Sequence, residues 1–123
     1  QGNDGGSGIT ALTLDMSGAG AATFNNDVTA FSDKRLKTDI KDIDNALSKV
    51  MKMQGVYYKR NDIDDAREQV GVLAQDIEEV LPQVVLTADD DFKTKSVDYG
   101  KICAVLIESI KELKAEIDQL KGK

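Results

Sequence analysis

The first 31 residues contain no Lys, no Arg and only three acids (Asp4, Asp15, Asp27), yet they hold six of the chain's ten glycines. From residue 32 onward the sequence turns charged and mixed. A segment so poor in large apolar and charged side chains cannot build a core of its own, so the chain divides at about residue 31. Ile9 to Met16 alternates such that Leu12, Leu14 and Met16 share one strand face, and Asn25-Asn26 offers a turn ahead of a second strand over Val28 to Phe31. Short strands with so few core residues are stabilised only by further copies of themselves. Residues 1–31 are therefore expected to end a fibrous, multi-chain β shaft, the competing reading being a disordered Gly-rich linker.

Composition bounds the remainder. A chain of 123 residues with 41% hydrophobic content, no Trp and 5% aromatics suits one modest domain with an aliphatic core. The net charge of -6, from 22 acidic against 16 basic residues, argues against nucleic acid or an anionic membrane as partner. Nothing reads as a signal peptide or as an 18-residue apolar run. Cys103 is the only cysteine and has no intrachain disulfide partner. A start at Gln1 without Met reads as a piece of a longer protein.

From Asp33 the hydrophobic periods alternate between helix and strand. Ile43, Ala46, Leu47, Val50 and Met51 predict a helix of about ten residues, capped by Asp42 or Asp44 and ending before Gly55. Val56 to Lys59 reads as a strand, with one of Tyr57 and Tyr58 in the core and the other on the surface or at an interface. A polar loop over Asn61 to Glu68 leads to a short strand, Val70 to Val72. Leu73, Ile77, Val80 and Leu81 then line a helix that Pro82 ends. Val84 to Thr87 and Thr94 to Val97, joined through Ala88-Asp89-Asp90-Asp91, read as a hairpin.

The last segment carries a separate signal. Tyr99, Cys103, Leu106, Ile110, Leu113, Ile117 and Leu120 succeed one another at spacings of 4, 3, 4, 3, 4 and 3, the seam of a coiled coil on a helix over 98–121. Ile110 and Ile117 take the a positions, and Leu106, Leu113 and Leu120 the d positions. That pattern by itself favours two strands. Charges of both signs surround the seam, which suits self-association better than burial inside one chain. Cys103 at a seam position reads as a small core residue.

The chemistry-bearing stretch is Ser32-Asp33-Lys34-Arg35-Leu36-Lys37, in a chain with no histidine. A serine hydroxyl needs a proton acceptor before it attacks a carbonyl, and lysine is the available substitute for imidazole. An ordinary lysine is neutral in only about one molecule in 10³ at pH 7, so a lysine base has to be desolvated or crowded by another cation. Arg35 is placed for crowding. In an extended strand, however, Asp33, Arg35 and Lys37 share one face and Ser32 lies on the other. Contact then needs either a bend after Ser32 or a lysine from a neighbouring chain. The structural alternative is a Ser32-Asp33 turn cap beside a solvated basic patch.

The order of blocks resembles a known family. Ser32-Asp33-Lys34-Arg35-Leu36-Lys37-Thr38-Asp39-Ile40, then Val56-Tyr57-Tyr58-Lys59, then Val70 to Glu78 with Pro82, then Val97-Asp98-Tyr99 opening a long helix, is similar to the C-terminal intramolecular chaperone of bacteriophage tail spikes and tail fibres. The resemblance covers about residues 32 to 115. It implies a homotrimer that registers three chains into an intertwined triple β fibre, then removes itself by cutting before the motif serine. It implies Ser32 as nucleophile, Lys37 as base, Phe31-Ser32 as the scissile bond, and Asp33 and Arg35 as the other motif positions. The upstream part would belong to a virion tail fibre or spike, and the released chaperone to the host cytoplasm.

The expectation is thus an α+β domain over 32–123 behind a shaft end over 1–31, acting as a self-cleaving serine-lysine peptidase and trimeric chaperone. Its partners would be copies of itself and the upstream shaft, with no nucleic acid, no membrane, no cofactor and no metal. Asp89, Asp90, Asp91 and Asp98 lack the spaced ligand pattern of a calcium loop and read as a solvated turn. Gln75 either holds the cleavage loop or an interchain contact, or bonds its own helix end. The rival function is a non-cleaving trimerisation or receptor-binding tip of a fibre.

Overall fold

A computed structural model describes residues 2–3, 8–9, 12–15 and 20–123. They fall into two compact units, Gln1–Ile40 and Lys41–Lys123.

In the first unit, β1 (Gly2–Asn3) pairs antiparallel with β2 (Gly8–Ile9), and β3 (Leu12–Asp15) with β4 (Ala21–Phe24). The second ribbon runs from Leu12 opposite Phe24 to Asp15 opposite Ala21. Gly20, at φ 86, donates its N–H to the Asp15 carbonyl at 3.1 Å, a left-handed position that glycine occupies without Cβ strain. Met16, third member of the expected strand face, lies outside the described residues. The expected second strand is displaced: the ladder takes Ala21–Phe24, ahead of Asn25-Asn26, and Val28 to Phe31 joins none. Pairing of Ala21–Phe24 with β3 outweighs the stronger β propensity of Val28 to Phe31, which among the described residues has no strand beside it. Every residue of β4 is exposed.

The second unit is a small α+β domain with a C-terminal helix. Its elements are α1 (Ala46–Met51), β5 (Gly55–Tyr58), β6 (Gln69–Val72), α2 (Ala74–Val80), β7 (Val85–Thr87), β8 (Lys95–Val97) and α3 (Ile102–Lys121). The strands form two antiparallel ribbons, β5 with β6 and β7 with β8. Tyr57 faces outward at 76% exposure, while Tyr58 is half-buried and its hydroxyl donates to Gln69 Oε1 at 3.3 Å. α2 stops at Val80, and Pro82 opens a 3-10 turn (Pro82–Val84), since proline has no N–H to continue the helical ladder. The β7–β8 loop is tied by Asp90, which accepts from Thr94 N (2.9 Å) and Thr94 Oγ1 (2.7 Å). Those bonds hold its carboxyl below the usual carboxylate range. Asp89 pairs with Lys93 and Asp98 with Lys101, so these acids brace turns.

α1 is shorter than its sequence pattern suggests, six residues in place of about ten. Neither Asp42 nor Asp44 caps it: Asp44 pairs with Lys49 at 3.1 Å, and Asn45 stands at φ 50 with no capping bond. The cap comes from 66 residues away. Glu112 of α3 accepts from Ala46 N at 3.0 Å through Oε1 and from Leu47 N at 2.7 Å through Oε2. A carboxylate at a helix N-terminus satisfies orphan donors and complements the dipole, and here it does so across a helix-helix contact.

Among the described residues, the fully or nearly fully buried apolar side chains are Ala46, Ile77, Val84 and Val105. α3 packs on α1, buries Val105 and Ser109, and presents a different stripe to solvent. Leu106, Ile110, Leu113, Ile117 and Leu120 are 40 to 69% exposed, and Cys103 is exposed as well, so it is not a core residue within one chain. Tyr99, first residue of the seam pattern, sits in a 3-10 turn (Tyr99–Lys101) before α3. Its hydroxyl accepts from Val72 N at 3.2 Å. Gly71 leaves room for that approach, since a Cβ there would stand 2.5 Å from Tyr99 Oη.

Removing the Glu112 carboxylate strands two part-buried N–H groups. Glu112→Ala should destabilise the domain by about 1–3 kcal/mol, read as a lower urea midpoint at unchanged m-value, with Glu112→Gln losing less. A midpoint unmoved by Glu112→Ala would show that α1 does not need this cap.

Candidate functional site

The Ser32 to Lys37 stretch folds on itself. Asp33 stays extended (φ -64, ψ 129) and caps a single 3-10 turn, Lys34–Leu36. Its Oδ1 accepts from Arg35 N at 2.9 Å, and the turn closes through Leu36 N to Asp33 O (3.0 Å) and Lys37 N to Lys34 O (3.1 Å). The Arg35 side chain grips the same carboxylate: Nε lies 3.1 and 3.2 Å from its two oxygens, and Nη2 lies 2.7 Å from Oδ2. Asp at a cap position followed by a residue that can return a fork of donors is enough to close such a turn locally.

Beyond the turn the chain becomes extended again at Lys37 (φ -119, ψ 141). The reversal brings the Lys37 ammonium to the Ser32 hydroxyl, with Nζ 2.7 Å from Oγ. Of the two routes open to a strand-like chain, the bend within one chain makes the contact. Phe31, Ser32, Asp33, Arg35 and Leu36 line an open concavity of about 440 Å³. The site is wet: Ser32 and Lys37 are exposed, Phe31 is 96% exposed, and the Arg35 side chain 88%.

Electrostatically, Asp33 and Arg35 act on each other. The Arg35 side chain, and then its backbone N–H, hold the Asp33 carboxyl below the usual carboxylate range, while Asp33 raises the Arg35 guanidinium. The Arg35 guanidinium, expected to crowd Lys37, is instead paired with Asp33. Both motif charges instead shape the turn. Its signal in the sequence was the Asp-Lys-Arg spacing of a capped turn, which alternation along a strand conceals.

Gln75 lies in the second unit, where it lines a concavity of about 410 Å³ with residues that include Tyr58, Lys95 and Tyr99. Lys95 there bonds Glu78 Oε2 (3.0 Å) and Thr87 Oγ1 (2.9 Å). Among the described residues no group of three or more His, Cys, Asp and Glu side chains could hold a metal ion, and no helix is long and apolar enough to cross a membrane.

A family model described as chaperone of endosialidase matches residues 32–86, from the serine of the turn to β7. This segment belongs to the chaperone-of-endosialidase family. The chain is also 35% identical over 97 residues to long tail fiber protein Gp37 of Enterobacteria phage K3, a match covering 75% of this chain and 8% of that protein. The Gp37 of Enterobacteria phage M1 is 34% identical over 102 residues, 78% of this chain and 41% of the relative. That of Salmonella phage S16 is 32% identical over 109 residues, with 83% and 15% covered. The chain thus spans less than half the length of these relatives. In the chaperone-of-endosialidase segment, the Ser32–Lys37 contact stands at the first residues matched.

Because the folded-state Asp33 pKa is depressed, its contribution to the turn is complete above the unfolded value near 3.8 and fades as pH falls through the lower folded value. An NMR titration should show the Leu36 and Lys37 amides shifting with the Asp33 carboxyl below about pH 4. Asp33→Asn should produce the same displacement at neutral pH. Unchanged amides in that variant would remove Asp33 from control of the turn.

Proposed function

We propose that this chain is the end of a phage tail fibre or spike followed by its trimeric, self-cleaving folding chaperone. Residues 1–31 would be the shaft end and 32–123 the chaperone. One observation carries the reading: in a chain without histidine, the first serine of the family segment holds a lysine ammonium at 2.7 Å. The relatives named as long tail fiber proteins support the fibre context.

The chemistry follows from that pair. The Lys37 amine, once neutral, takes the Ser32 hydroxyl proton, and Oγ attacks the Phe31 carbonyl carbon. The bond from that carbon to the Ser32 nitrogen breaks and the amine leaves with the proton. Water then hydrolyses the Phe31 ester, freeing a carboxylate at Phe31 and the hydroxyl and N-terminus of Ser32. The Asp33–Arg35 clamp fixes the turn that keeps base and nucleophile together. Since the pair is exposed within one chain, the desolvation that favours a neutral amine is supplied when neighbouring copies cover it. Cleavage then reports assembly.

Such a domain answers a folding problem. An intertwined fibre has nonlocal interchain pairing and little local structure to nucleate it, so register errors and slow assembly are expected. A domain that trimerises first aligns three chain ends and raises their effective concentration. Cutting afterwards leaves the fibre with kinetic stability, in the virion, and releases the chaperone in the host cytoplasm.

The full chain with its natural upstream shaft should give a new N-terminus at Ser32 by mass spectrometry, and Ser32→Ala should stay whole. Lys37→Arg keeps the cation without a usable neutral amine and should also stay whole at unchanged oligomer size. An uncut wild type in an assembled oligomer would favour the non-cleaving fibre tip.

Assembly is tested separately. Ile110 and Ile117 are 66% and 40% exposed in the single chain, so Ile110→Asp with Ile117→Asp should leave the monomer folded. It should weaken self-association by about 2 kcal/mol or more, read by light scattering, and suppress cleavage with it. A monomeric double variant cleaving at the wild-type rate would uncouple processing from assembly.

A further inference from the structure

We propose that Arg35 is a catalytic residue as well as a clamp: the edge of its guanidinium that Asp33 does not hold stabilises the oxyanion formed on the Phe31 carbonyl. The inference rests on the self-cleavage proposed above and adds the group that receives the developing charge. Attack by Ser32 Oγ pushes the carbonyl electron pair onto oxygen, and the pair returns when the bond from the Phe31 carbonyl carbon to the Ser32 nitrogen breaks. Between those steps the oxygen is negative and needs donors already in place. Lys37 is engaged elsewhere, its Nζ 2.7 Å from Ser32 Oγ.

Backbone amides are the usual donors, and the turn has committed most of its own. Arg35 N lies 2.9 Å from Asp33 Oδ1, Leu36 N lies 3.0 Å from Asp33 O, and Lys37 N lies 3.1 Å from Lys34 O. The Ser32 nitrogen is itself the leaving group. The amides of Asp33 and Lys34 remain, and both are uncharged.

Arg35 offers a charged alternative of fixed orientation. Its five N–H donors lie in one rigid plane. Nε, 3.1 and 3.2 Å from the two Asp33 oxygens, and Nη2, 2.7 Å from Oδ2, occupy one edge of that plane. These are the hydrogen bonds of the guanidinium among the described residues, so both N–H groups of Nη1 and one of Nη2 stay open. An exposed arginine ordinarily samples many rotamers, but here the carboxylate holds the plane. Phe31, which carries the scissile carbonyl, lines the same concavity of about 440 Å³ as Ser32 and Arg35. Asp33 thus aims a cation at the reaction while it caps the turn. In the single chain the Arg35 side chain is 88% exposed, and its hydrogen bonds strengthen when neighbouring copies exclude water from the site.

The side chain can be removed without opening the turn, because the closing bonds come from backbone N–H groups. In the full chain with its natural upstream shaft, Arg35→Ala should be cut about 10²-fold or more slowly than wild type, at unchanged oligomer size. The Leu36 and Lys37 amides should keep their NMR positions in that variant. Guanidinium chloride at a non-denaturing concentration should restore much of the rate, where sodium chloride at the same concentration does not. Cutting of Arg35→Ala at the wild-type rate overturns the inference and leaves the serine-lysine reading standing. A slow variant that guanidinium fails to rescue, or whose Leu36 and Lys37 amides have moved, also overturns it, since Arg35 then only holds the turn. A wild type left uncut in its assembled oligomer sinks both readings.

Discussion

The carboxylate of Glu112 ties the two ends of the globular unit together. It receives the first two N–H groups of α1 while its own residue lies midway along α3, so a six-residue helix too short to persist alone is held by one 65 residues later in the chain. Ala46, at the capped end of α1, is fully buried, and the packing of α1 on α3 fixes which face of α3 stays exposed. Once α1 occupies one side, Leu106, Ile110, Leu113 and Ile117 are turned outward together.

On the proposed self-association, that outward stripe would explain how so small a domain is stable. Only Ala46, Ile77, Val84 and Val105 are buried apolar side chains within the single chain, among the described residues. Small domains are marginal when one core is all they have, and oligomerisation is the usual remedy. On the proposed function, this incompleteness is useful: the domain reaches full stability only when copies meet, so alignment of the upstream chains is coupled to folding of the chaperone.

The serine-lysine pair obeys a different economy. It is built entirely from local bonds, with Asp33 as cap, Arg35 as clamp and one 3-10 turn between, and it needs no residue from the second unit to form. Contact geometry is therefore preorganised while desolvation is absent. On the proposed function, a site assembled in this order would have its nucleophile and base ready but weakly active until covered, the safeguard a one-time cleavage would require.

The sequence by itself determined the elements whose signals are local. Pro82 ended α2, the 4-3 spacing drew out the exposed apolar stripe of α3, and the β7–β8 hairpin and the β5 and β6 strands fell within a residue or so of their patterns. It also singled out Ser32 and Lys37 in a chain without histidine, two side chains that the turn brings to 2.7 Å. Tertiary structure decided what depends on partners distant in sequence or on backbone choice. The shortening of α1 follows from a cap that no nearby residue predicts. The pairing of Ala21–Phe24 in place of Val28 to Phe31 follows from which segment lies beside β3. The use of Arg35 as a clamp follows from a turn that alternation along a strand cannot show. Local periodicity encodes which face of an element is apolar, but which of two available partners that face or charge will meet is settled only when the chain is folded.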